Sequence, residues 1–269
     1  MATNEKNISV FLETHPVFTI KELQEYYSPS GRGREVYDLL LHNKRMRRIG
    51  VKKSGLYYAI RPGSDAATTQ VDPFLIAAKL VEDSVLSFHT ALDLLGFSHS
   101  IFNSYYYYSS RSHSAKQFGN DHFRCVLQPG ILRKKSSALF GTERMERSGI
   151  KVVVTGKERT LVDVLERPQF CGGFEEMYHS LEKMPYVQTE LILNYLDLRE
   201  QKNLFARVGF FLEQHREQFH IEESCLQTLE RNKPAKPLYW DRSRKGGSLK
   251  NRWNLIVPEE VNQHNWEEF

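Results

Sequence analysis

The first sixty residues switch between helical and strand-like spacing of apolar positions. Ile8, Phe11 and Leu12 recur at i, i+3 and i+4, one face of a first helix that ends near His15 and Pro16. Val17 and Phe18 form a short apolar, β-prone segment. Thr19 followed three residues later by Glu22 spells a capping box, predicting a second helix with Leu23, Tyr26 and Tyr27 on its buried face. Ser28-Pro29-Ser30-Gly31 breaks that helix. A third helix is expected next, with Ser30 as its N-cap and Val36, Leu39 and Leu40 facing inward. Residues 46–51 read as a strand, 52–55 as a tight basic turn and 56–60 as the returning strand. Three short helices, a small strand after the first and a basic-tipped hairpin predict a winged helix-turn-helix.

Residues 61–70 are small, polar or helix-breaking and hold no large apolar side chain. They predict a boundary: a winged helix-turn-helix domain over 1–61, a linker over 62–72, and a larger mixed α/β domain over 73–269. In that larger part, helices are expected at 73–81 and 87–95, strands at 105–108, 123–127 and 150–154, and helices at 157–166, 174–183, 189–198 and 204–214. Strands early and helices late give an α+β (mixed α/β) class. No stretch approaches the roughly 18 apolar residues of a membrane span. The first residues lack the basic and apolar regions of a signal peptide, so a cytoplasmic location is expected. Cys125, Cys171 and Cys225 lie far apart with no metal-binding spacing, arguing against a disulfide scaffold or a zinc module.

Charge sharpens the picture. The 269 residues carry 37 Lys and Arg against 33 Asp and Glu, a net +4. Residues 1–61 hold 11 bases and six acids, whereas the remainder holds 26 bases and 27 acids, so the excess belongs to the first quarter. A compact basic module suggests a polyanion partner, because neutralising phosphates releases counterions. The blander alternative is a solvated basic face. Turning Val36, Leu39 and Leu40 inward points Arg34, Asp38 and Arg45 outward, with Arg32 in the entering turn. Arg32 and Arg34 are the candidate base readers, with Tyr37 nearby, since a guanidinium fork pairs with both guanine acceptors. Lys44, Arg45, Arg47, Lys52 and Lys53 are the candidate phosphate contacts on double-stranded DNA. A winged helix used only for protein contacts is the rival reading.

Catalytic signals are weak. Tyr105 to Tyr108 reads as a half-buried strand rather than a base-stacking platform. His89, His99, His113 and His122 lack a ligand spacing, so no metal is expected. Glu143, Glu158 and Asp163 could be assembled into a metal-dependent nuclease or transferase. However, the strand at 150–154 holds no acid, and no P-loop, GxSxG or GxGxxG occurs. No catalytic residue and no cofactor is assigned. In the stretch 156–168, Leu161, Val164 and Leu165 repeat at helical spacing while Arg159, Asp163, Glu166 and Arg167 are expected nearer the surface, as an i, i+4 ion-pair ladder. Gly172-Gly173 supplies a sharp turn before the next helix. The ladder reads either as a solvated corner or as an interaction surface.

Taken together, the winged helix, Ser-Phe-His-Thr-Ala-Leu-Asp-Leu-Leu-Gly at 87–96, Lys-Glu-Arg-Thr-Leu-Val-Asp at 157–163, Arg167-Pro168 and Gly172-Gly173 resemble the AbiEi-type antitoxins. These are regulators of bacterial abortive-infection toxin–antitoxin operons, and the resemblance covers most of residues 5–215. It implies an autorepressor whose winged domain binds inverted repeats in its own promoter. It also implies a second domain that neutralises a nucleotidyltransferase-like toxin, in the type IV manner that needs no stable complex. Lys157, Arg159, Thr160, Asp163, Arg167, Gly172 and Gly173 are the positions carrying the motif. The C-terminal tail departs from the family: residues 239–247 match no family role, and the five bases against one acid between Asp241 and Arg252 read as a solvated loop or a second nucleic-acid contact. A stand-alone repressor remains an alternative.

Overall fold

Residues 2–50, 55–61, 63–241 and 246–263 are described by the computed structural model. The chain opens with helix α1 (Ala2–Thr14), strand β1 (Val17–Thr19), α2 (Ile20–Tyr26), a 3-10 turn (Ser28–Ser30), α3 (Gly33–His42), β2 (Met46–Arg48) and β3 (Leu56–Ala59). The capping box forms as the spacing predicts: the Glu22 amide donates to Thr19 Oγ1 at 3.1 Å, and the Thr19 amide donates to Glu22 Oε2 at 2.7 Å. Strands β1 and β2 both pair antiparallel with β3, bringing Val17 and Arg47 opposite Tyr58. Phe11, Leu23, Val36 and Leu40 pack on Phe18, Met46 and Tyr57 to make the core of this winged helix-turn-helix.

Three local expectations are corrected. Tyr26 is 40% exposed and Leu39 43% exposed, rather than buried. Helix α3 begins at Gly33 with Arg32 as its N-cap, so its inner face is Gly33, Val36 and Leu40, and Leu39 lies about 100° off it. Ser30 does not cap because its hydroxyl donates to the Tyr27 carbonyl at 2.9 Å, closing the preceding turn.

After α4 (Pro73–Lys79) the chain forms β4 (Val85–Leu86), α5 (His89–Leu94), β5 (Ser104–Ser109), β6 (Lys116–Phe118), β7 (Asp121–Leu127), α6 (Gly130–Lys134), β8 (Thr142–Arg147) and β9 (Ile150–Thr155). These strands make one mixed sheet in the order β6-β7-β5-β4-β9-β8. The β5–β7 and β4–β9 pairs are parallel, and β6–β7 and β4–β5 antiparallel. Tyr105 to Tyr108 are all buried in the central strand β5, so they serve the core and offer no stacking surface. Then follow α7 (Lys157–Glu166), a 3-10 turn (Pro168–Cys171), α8 (Phe174–Glu182), α9 (Thr189–Arg199), α10 (Lys202–Gln214) and α11 (Glu223–Arg231). A small sheet of β10 (Leu238–Tyr239), β11 (Ser248–Lys250) and β12 (Leu255–Val257) precedes α12 (Glu259–Gln263). The class is α+β.

Two compact units emerge, interleaved along the sequence. One comprises Met1–Leu86, Asn103–Leu127 and Arg144–Val154; the other comprises Ser87–Phe102, Gln128–Glu143 and Thr155–Phe269. Of the expected linker, residue 62 lies outside the described residues; the stretch at 63–72 lies inside the first unit and is tied down there. The Tyr58 hydroxyl donates to the Ala66 carbonyl at 3.1 Å, and Asp72 caps α4 while pairing with Arg147 at 2.6 Å. Its small polar residues make an anchored turn, so composition alone did not mark the division between units. Among the described residues no helix is long and apolar enough to cross a membrane.

Candidate nucleic-acid interface

Helix α3 is set against α2 by a close backbone approach. A Cβ built on Gly33 would lie 3.1 Å from the Gln24 Cα, so only glycine lets the two helices meet here without a shift. Gly31, in the left-handed region at φ +67°, turns the chain between them. Helix α2 is fastened through Glu22, which also pairs with Lys79. Burial alone would raise the Glu22 carboxyl, yet the Lys79 ammonium and the Thr19 donors hold it below the usual range.

The candidate base readers stand at the start of α3. Arg34 is exposed, and Arg32 is half-buried with its Nε 3.0 Å from Glu35 Oε2. Tyr37 is not a free reader. Its hydroxyl lies 3.0 Å from that of Tyr57, the two rings meet edge-on with centroids 5.9 Å apart, and Arg48 donates to Tyr57 from Nε at 3.1 Å and Nη2 at 2.8 Å. The hydrogen bond to Tyr57 and burial both push the Tyr37 phenol up. Arg48, adjacent to Arg47, was not singled out in the sequence because nothing local shows that it braces α3 through Tyr57.

The candidate phosphate contacts divide. Lys44 and Arg47 are exposed, Lys44 with φ +52° just after α3. Arg45 falls beyond the helix and is half-buried, so the outward direction expected for it does not hold. Its Nε is shielded from solvent without a hydrogen-bond partner. Lys52 and Lys53 lie outside the described residues, as does the basic run 242–245 of the tail.

The second charged stretch has the opposite fate. Arg159 and Asp163 are 1% and 0% exposed, so the surface ladder expected on α7 is corrected to a buried ionic cluster. Asp163 Oδ2 lies 3.5 Å from Arg159 Nε and Oδ1 3.3 Å from Arg199 Nη1, and Tyr195 donates its hydroxyl to Oδ1 at 2.7 Å. Arg199 Nη2 spans both Glu166 oxygens at 2.7 Å, and Arg159 Nη1 donates to the carbonyls of Ala138 and Phe140 at 2.9 and 2.7 Å. Burial pushes the Asp163 carboxyl up while both guanidiniums pull it down. Arg167 makes no ladder with Asp163; its Nε sits 3.9 Å from Glu166 Oε2. Thr160 is buried and donates to the Thr155 carbonyl at 2.9 Å, and the Lys157 ammonium lies over the Tyr186 ring. Gly172 and Gly173, at φ +85° and +110°, make the expected turn, and a Cβ on Gly172 would strike the Phe102 ring at 2.7 Å.

Arg159, Thr160 and Asp163 therefore lie inside the second unit rather than on a surface, whereas Lys157, Arg167 and Gly173 are half-buried and Gly172 is exposed. Tyr195 and Arg199, four residues apart on α9, complete the cluster; the Arg159–Asp163 spacing was marked in the sequence, but these two were not. The three acids of the enzyme alternative are differently engaged. Glu158 accepts the Gln188 amide at 3.0 Å, Asp163 is closed in by arginines, and Glu143 is exposed. Among the described residues no group of three or more His, Cys, Asp or Glu could hold a metal ion.

The fold is a winged helix-turn-helix within an α+β protein. No protein-family model and no curated protein matches the chain. Among solved structures, it is similar to the crystal structure of the RV2827C protein from Mycobacterium tuberculosis, with a TM-score of 0.58 and 16% identity. The match covers 93% of this chain and 89% of that one, and at such identity it is a likeness of fold.

Proposed function

We propose that this is a cytoplasmic, non-enzymatic DNA-binding protein that represses its own operon and acts as the antitoxin to a nucleotidyltransferase-like toxin. The observation that carries the DNA half is Arg34. It is exposed at the first turn of α3, the helix that a winged helix-turn-helix places in the major groove, and lies in the module holding all the excess positive charge. Arg34 and Arg32 would read base edges while Lys44 and Arg47 hold phosphates. The antitoxin half rests on the AbiEi resemblance. The buried Arg159–Asp163–Arg199 cluster would keep the second unit in shape for that role, leaving toxin contact to other, exposed residues.

Fluorescence anisotropy with the neighbouring promoter's inverted repeat and with random duplex tests the DNA half. Arg34→Ala should cost about 1–3 kcal/mol on the cognate site and less on random DNA. Equal losses on both would remove Arg34 from base reading, and no binding by the intact protein at low salt would overturn the proposal. Restored growth on co-expression with the adjacent toxin gene tests the antitoxin half.

A second reading, a winged helix that grips a protein, is favoured by Leu39 and Leu41, 43% and 50% exposed on α3 beside Glu35 and Asp38. Salt separates the two: phosphate-driven binding falls by orders of magnitude between about 50 and 200 mM salt, and apolar binding does not.

A further inference from the structure

A cavity of about 260 Å³ lies in the first unit, between the base of the β2–β3 hairpin, α4 and the β6–β7 edge of the large sheet. Leu80, Val81 and Phe118 offer the partly exposed apolar walls, with Ile49, Ile76 and Phe123 buried behind them, while Lys116 and His113 bring the basic side chains. Lys116 is directly opposite Phe123 in the β6–β7 register, so both side chains project from the same sheet face. Phe118, two residues further along β6, shares that face, so an exposed lysine stands beside a partly exposed aromatic ring. Among the described lining residues there is no carboxylate; the acid that the β6–β7 register puts on the same sheet face, Asp121 opposite Phe118, lies outside the lining. The volume falls just under the usual range of about 300–1,000 Å³ for small-molecule sites, which limits the occupant to a compact body. One wall belongs to the hairpin itself: the Ile49 amide donates to the Leu56 carbonyl at 2.8 Å, the described hydrogen bond where β2 leaves its pairing with β3.

From this we infer that the cavity binds a small apolar monocarboxylate, its hydrocarbon or aromatic body against Leu80, Val81 and Phe118 and its carboxylate on Lys116. Such a ligand is recognised by burial of its body and oriented by one charged contact, which gives affinity and selectivity separate sources.

The test uses the full-length protein, amide-resolved NMR titration, and two probes of the same shape: 3-phenylpropanoate and 3-phenylpropanamide. The acid should bind saturably, shift the amides of Ile49 and Phe123, and bind about fivefold to tenfold tighter than the neutral amide. Lys116→Gln, an exposed substitution, should leave the melting temperature unchanged and bring the two probes to within about twofold of one another. No saturable binding of the acid, equal binding of acid and amide to the unaltered protein, or discrimination that survives Lys116→Gln would each overturn the inference. No DNA is present, so the outcome is independent of the repressor proposal.

Discussion

Arg34 and Arg159 are both arginines in charged helical stretches, and the fold treats them in opposite ways. Arg34 stands in solvent on a small module, where its charge meets high dielectric and keeps its fork available to an incoming partner. Arg159 is enclosed in the second unit beside Asp163, with the carbonyls of Ala138 and Phe140 taking one of its nitrogens. A buried ion is tolerated only with a counter-charge and hydrogen bonds, and α7 supplies the first while α9 and the 138–140 segment supply the rest. The lesson is that a run of charges on a helix carries no label for inside or outside. On α3, the close packing at Gly33 leaves the charged face free; on α7, residues from two separate segments, α9 and 138–140, close over it.

The largest effect should come from breaking the buried side of this comparison. Asp163→Asn keeps the volume but leaves Arg159 without its carboxylate, and should cost about 3–5 kcal/mol in urea unfolding. A loss below about 1 kcal/mol would mean that water or another acid already serves these guanidiniums. A smaller effect is expected from the second buried acid–base pair, His89 with Glu176, whose atoms Nε2 and Oε1 lie 3.2 Å apart. Burial lowers the His89 value below its ordinary 6.5, against the opposing pull of Glu176. As pH falls below about 6.5 the unfolded chain takes up this proton before the folded one does. His89's stabilising contribution is therefore full above that point and declines on acidification, by at most about 1.4 kcal/mol per pH unit, until the folded value is passed. His89→Gln should flatten the stability profile between pH 7 and 5.5, and an unchanged slope would assign the acid sensitivity elsewhere. The smallest effect is expected at Arg34, where Ala should alter unfolding stability by no more than about 0.5 kcal/mol. A larger change there would show that Arg34 supports the fold and weaken its assignment as a base reader.

Much of the winged module was legible because its determinants are local. A cap at Thr19, breakers at Pro29 and Gly31, and 3.6-residue spacing around Val36 and Leu40 each act within a few positions of themselves. The same spacing misplaced Leu39 and Tyr26, because the edge of an apolar face is buried only where a neighbouring element covers it. Of the missed strands, β4, β6, β10, β11 and β12 are two or three residues long, too short to carry a period, whereas the six residues of β8 have Met145 as their one large apolar side chain. Tyr37 also escaped: its half-buried bond to Tyr57 depends on a partner twenty residues away.

By itself, then, the amino-acid sequence determined the elements of the winged module and their order, the α+β class and the concentration of positive charge in the first quarter. Capping, chain stiffness and side-chain periodicity are short-range forces that need no partner. Only the tertiary structure decided which charges are enclosed, that the stretch at 63–72 is anchored within a unit, and that a cavity opens beside Lys116. Those outcomes depend on segments far apart in the chain arriving at one place, where the cost of stripping water from an ion or leaving a space unfilled is decided by what surrounds it.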